Sequence, residues 1–144
     1  MNIGRTIFSQ LTDYIDEYIF KTIVEKNKGN KHVRHFTCWE HYLCMLFAQL
    51  TNRESLRDVE TCLRAAGKKL YHAGIRSRIS RSTLADANEH RPWQMYHDFA
   101  QHLIREARVL YRNEKIFSDI STAVYACDST TIDLCLTLFP WARA

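Results

Sequence analysis

The sequence predicts a mainly α-helical protein with one β element near its end. Glycine and proline are scarce, 4 and 2 of 144 residues, which disfavours a turn-rich all-β fold. Apolar residues recur at helical spacing along most of the chain up to Tyr111. Near residue 120 the period changes, and Val124, Tyr125, Thr130, Thr131 and Ile132 make the composition β-rich. A hydrophobic content of 46% with 25% charged residues is globular and excludes wholesale disorder.

Each element follows from local chemistry. Ile3, Ile7, Phe8, Leu11, Ile15, Tyr18, Ile19 and Ile23 fall at helical spacing, as one helix or as two with a break near 14–16. KNKGNKH is a polar connector. Thr37 with Glu40 three residues on is a capping box, so the next helix begins at Cys38. Leu43, Met45, Leu46, Phe47 and Leu50 make it apolar on most sides, as expected of a central core helix. Ser55 with Asp58 repeats the cap, and that helix runs to about Ala66, where Gly67 ends it. Residues 67–79, with two glycines and no helical period, read as a loop.

Ser80 or Ser82 then caps a short helix over Thr83–Glu89, and Pro92 is expected in the first turn of a long last helix. Trp93, Tyr96, Phe99, Ala100, Leu103, Ala107 and Leu110 are expected to form that helix's apolar face.

The net charge of +4 is unevenly placed. Residues 64–91 carry seven basic and two acidic side chains, +5, while the remainder sums to −1. A basic stripe confined to one segment is the electrostatic footprint of a phosphate-backbone contact; the alternative is a solvated loop with no partner. The short helix combines small residues with Ser82, Thr83 and Asn88, flanked by arginines, in the manner of a helix that presents its N-terminal side chains to the major groove. The candidate DNA contacts are Lys68, Lys69, Arg76, Arg78, Arg81, Ser82, Thr83, Asn88 and Arg91, against the reading of a connecting helix packed on its neighbour.

Other motifs are weaker. His32, His35, Cys38, His41 and Cys44 are zinc-ligand types, but on one helix steps of three drift by ~60° each, so Cys38, His41 and Cys44 cannot all face one ion. The five cysteines read as buried free thiols. Asp128 follows the strand-like Val124–Tyr125–Ala126–Cys127, and a carboxylate there can hold a divalent cation; Asp133, five residues on, falls on the opposite face of a strand. Alone, Asp128 is equally a strand-end aspartate. No run approaches the ~18 apolar residues of a membrane span, and the N-terminus lacks the apolar core of a signal peptide, so a cytoplasmic protein is expected.

The strings FAQLTNRESLRD (47–58), KLYHAGIRSRISRSTLADANEHRPW (69–93) and YACDSTTIDLCLTLFPWA (125–142) resemble the N-terminal part of bacterial insertion-sequence transposases of the DDE type, the family numbered four. The resemblance extends through SQLTDYIDEYIF and FTCWEHYLCMLFAQL. It implies a helical domain over 1–115 that engages double-stranded DNA at the element's terminal inverted repeats. It also implies the start of an RNase H-like catalytic domain over 116–144, represented by an incomplete first β-strand.

Asp128 takes the place of the first acidic residue of the Asp–Asp–Glu triad, which in full-length members holds two Mg²⁺ ions about 3.5–4 Å apart for phosphodiester chemistry. The other two acidic residues lie beyond this chain's 144. The resemblance therefore implies a truncated transposase that binds transposon-end DNA, is associated with the nucleoid when bound, is inactive alone and holds no stable Mg²⁺. The alternatives are a regulator that occupies the ends or pairs with itself or with full-length transposase, and a remnant of a decayed gene.

Overall fold

The computed structural model describes residues 5–76 and 78–112. The described residues are mainly helical and contain no strand. The expected strand, Asp128 and Asp133 lie outside them. The chain divides into two compact units, Met1–Val109 and Leu110–Ala144.

The first unit is built from α1 (Ile7–Thr12), α2 (Glu17–Lys26), α3 (Cys38–Leu50), α4 (Leu56–Ala66), a 3-10 helix (Gly67–Ala73), α5 (Arg81–His90) and α6, which starts at Gln94 and ends at Leu110. The N-terminal apolar stretch is thus two helices. The break falls where Asp16 turns extended and its carboxylate accepts the Tyr18 and Ile19 amides, starting a new helix.

The caps stand as their residue types require. Thr37 Oγ1 accepts from the Glu40 amide at 3.2 Å while the Glu40 carboxylate accepts from the Thr37 amide at 3.1 Å, a complete capping box. A further donor of α3 is satisfied from outside the helix, since the Cys38 amide donates to Asn30 Oδ1 at 2.9 Å. Ser55 caps α4 through the Asp58 amide, and Gly67, at φ +50°, ends it. Ser80, not Ser82, caps α5.

Helix α3 divides the core in two. Leu43, Cys44 and Ala48 pack with Phe8, Val59, Leu63, Leu70 and Leu84 in the larger cluster. Cys38 packs with Phe20, Val24, Met95 and Phe99 in the smaller one, and Trp39 and Tyr42 border both. A helix with a cluster on either flank must be apolar most of the way round, which is what its sequence shows. Phe20 is fully buried and meets Phe99 edge-to-face at 5.0 Å; burying such a ring is worth roughly 2–3 kcal/mol.

Four expectations are corrected. Residues 67–73 are a 3-10 helix rather than a loop. Leu70 and Ala73 are its buried contacts, one 3-10 turn apart, and Ile75 and Ile79 anchor the stretch that follows. Helix α5 is longer than expected, because the Ser80 cap starts it at Arg81. Pro92 lies outside α6, which begins at Gln94. The expected face of α6 also shifts: Met95 and Phe99 are buried, whereas Trp93 is 66% exposed because it precedes the first helical turn.

Candidate nucleic-acid interface

The basic segment is tethered at both ends. At its start, Ser9 Oγ on α1 donates to the His72 carbonyl at 3.1 Å, and Gly74, in the left-handed region at φ +93°, turns the chain out of the 3-10 helix. Gly74 sits against α3, where a Cβ would come within 3.1 Å of Leu43 Cδ1. The Arg76 amide then donates to Glu40 Oε1 at 3.4 Å, so the carboxylate that caps α3 also holds the outgoing strand of chain. At its far end, Ile79, Leu84 and Ala87 bury into the larger cluster.

This frame leaves the cations outside. Lys68, Lys69, Arg76, Arg78 and Arg81 are all exposed. A cleft of about 720 Å³ lies between α4 and the 3-10 helix. Leu63, Leu70, Ile75 and Ile79 form its apolar floor, and Arg64, Lys68, Arg76 and Arg78 stand on its rim. Among the described residues no acidic side chain lines it. Arg64 is the one rim cation paired within its helix, to Glu60 at 2.7 Å. The Arg76 guanidinium lies 5.9 Å from the centroid of the exposed Tyr71 ring.

A second cleft brings Arg57 of α4 and its capping Ser55 together with Arg81 and Ser82 of α5. Arg57 was not among the expected contacts. Its only signal was its place two residues after a capping serine, and a charge count by segments separates it from Arg81. Ser82 and Thr83 are exposed, but their hydroxyls lie 2.9 Å from Ser80 Oγ and share in the helix cap.

Two expected contacts are committed elsewhere. Arg91 donates to the carbonyls of Phe36 and, at 2.9 Å, Thr37, and its guanidinium lies over the Phe36 ring at 4.8 Å. Asn88 Oδ1 lies 2.7 Å from His41 Nε2. These side chains join α5 and its exit to α3, while Asn88 remains exposed and Arg91 half-buried. The exposed cationic set is therefore Lys68, Lys69, Arg76, Arg78 and Arg81, joined by Arg57.

His41 is buried and contacts Tyr96 as well, with the tyrosine hydroxyl 2.6 Å from Nδ1. Burial pushes its pKa down to about 4; the Asn88 bond opposes that shift and the Arg91 charge adds to it. The ring is neutral at pH 7, donating from Nε2 to Asn88 and accepting at Nδ1 from Tyr96. Burial likewise raises Tyr96, and it pushes the Cys44 thiol up to about 12. Such a thiol is unreactive. His41, with both ring nitrogens occupied, is a structural linchpin and not a general base.

Among the described residues no three or more His, Cys, Asp or Glu side chains gather into a metal site. Asp128, to which the family resemblance assigns Mg²⁺, lies outside them. No helix among the described residues is long and apolar enough to cross a membrane.

These features define a helical domain with a two-part core and a cationic face on its 3-10 helix and the adjoining end of α5. Residues 3–76 match a family described as a domain of unknown function, DUF4372, and the chain belongs to it. That domain is found in transposase-like proteins. No curated protein and no solved structure matches the chain.

Proposed function

We propose that the first unit is a DNA-binding domain of a DDE-type transposase, engaging duplex DNA at transposon ends. Its contact surface is formed by Lys68 and Lys69 of the 3-10 helix, Arg76, Arg78 and the first turn of α5. The carrying observation is the exposure of Lys68, Lys69, Arg76, Arg78 and Arg81, of which Lys68, Arg76 and Arg78 line a cleft with no acidic side chain among the described residues. Exposed cations gain free energy by displacing the counterions condensed on phosphates. The resemblance over 69–93 and 125–142 supplies the transposon-end target and gives Asp128 the place of the first triad carboxylate. The belonging to DUF4372 agrees with that setting.

Binding to an inverted-repeat duplex is measured by fluorescence anisotropy across a salt series. Affinity is expected to fall steeply, with a log–log slope of about −0.9 for each phosphate neutralised. Reversal of Arg76, Arg78 and Arg81 to glutamate removes binding. Retained affinity and an unchanged slope in that triple variant would falsify the proposal.

A further inference from the structure

We propose that the cleft between α4 and the 3-10 helix receives an unpaired nucleotide, its base on the apolar floor and its phosphates on the cationic rim. This rests on the nucleic-acid reading above and adds to it a site for a base taken out of the helical stack.

The argument begins with a mismatch. A duplex offers phosphates on a convex surface, and the cations alone would meet them. Such a contact has no use for a recess of about 720 Å³ floored by Leu63, Leu70, Ile75 and Ile79. The volume lies within the roughly 300–1,000 Å³ of small-ligand sites, and an apolar floor with a few charged groups at its edge is their usual chemistry. An unstacked base supplies a flat apolar body of matching kind, and a nucleotide joins that body to a phosphate that the rim can hold.

Tyr71 completes the arrangement. Its ring lines the cleft, is 58% exposed, and has the Arg76 guanidinium 5.9 Å from its centroid. An exposed aromatic ring beside cations is the recurring platform for single-strand bases, since every base has a stackable face. Among the described residues the lining carries cations and no carboxylate, which fits an anionic occupant.

The test compares a labelled 20-nucleotide thymidine strand with a 20-base-pair duplex by anisotropy, using the full chain and its Tyr71→Ala, Tyr71→Phe and Arg78→Glu variants. Tyr71 is exposed, so its replacement leaves the core intact, which circular dichroism verifies. The expected result is a roughly fivefold to hundredfold loss of single-strand affinity in Tyr71→Ala, restored in Tyr71→Phe, with duplex affinity little changed. Arg78→Glu weakens both. If Tyr71→Ala leaves the single strand bound as before, or weakens strand and duplex alike, the nucleotide site is wrong while the DNA-binding reading stands. If the wild-type chain binds neither probe, both are wrong.

Discussion

Nε2 of His41, in the first half of α3, lies 2.7 Å from Oδ1 of Asn88 on α5. The bond ties the helix at the centre of the core to the helix whose first turn carries Arg81. Tyr96 on α6 closes the other side of the same ring at 2.6 Å, so one histidine holds three helices.

Asn88→Ala leaves the buried Nε2–H without its partner. The unfolding free energy is expected to fall by about 1–3 kcal/mol in urea titration. DNA affinity of the folded fraction stays within twofold of wild type, because Asn88 is engaged within the fold. A specific loss of affinity at unchanged stability would return Asn88 to the list of base readers.

Stability is expected to depend on pH through His41. Above its ordinary value of 6.5 the ring is neutral in both folded and unfolded chains. As pH falls from there toward about 4, the unfolded chain takes up a proton that the folded one refuses. Folding therefore loses on the order of 3 kcal/mol over that window. His90 is raised, chiefly by its bond to the Asp86 carbonyl, and acts in the opposite sense, losing its contribution as pH rises; it is fully exposed and its effect is small. Asp98 is lowered from 3.8, chiefly by Asn27, and acts below the window. Thermal melts from pH 7 to pH 4 should decline in wild type and flatten in His41→Gln.

Arg91→Lys keeps the charge but not the planar fork that reaches two carbonyls at once while lying over Phe36. The variant is expected to lose about 1–2 kcal/mol of stability in chemical denaturation. The salt slope of DNA binding is expected to remain that of wild type. A slope lower by about one would show that Arg91 meets a phosphate after all.

Gly29→Ala tests the second cluster. A Cβ there would stand 2.7 Å from Met95 Sδ, 3.1 Å from Cys38 Sγ and 3.3 Å from Val24 Cγ1. Met95 is itself fully buried, so it has little room to yield. A loss of about 1–3 kcal/mol is expected from overpacking. Partial rescue by the shorter Met95→Ala in the same chain would identify the clash as the cause.

The residues legible in advance were those whose partners lie within one turn. Thr37 with Glu40 and Ser55 with Asp58 declare helix starts because a side chain three positions away reaches the same amide in almost any context. The central place of α3 was legible from its apolar composition for a related reason, since a helix without a polar face must be covered. The 3-10 helix was missed because Gly67, its two lysines and the Gly74 that follows hide a pair of core contacts, Leu70 and Ala73, that matter only once α1 and α4 are in place.

By itself, then, the sequence determined the helical class, the caps, the core helix and the concentration of positive charge over 64–91. These depend on bonds between near neighbours or on composition. Only the tertiary structure decided how the polar residues of that segment are used. It bonded Asn88 and Arg91 to partners 47 and 54 residues away, brought Arg57 beside Arg81, and opened a cleft beside Arg76 and Arg78. A side chain's residue type says what it can bond to. Which partner it meets is set by packing between segments distant in the chain, and hydrophobic burial, which drives that packing, is non-directional and carries no local signature of its outcome.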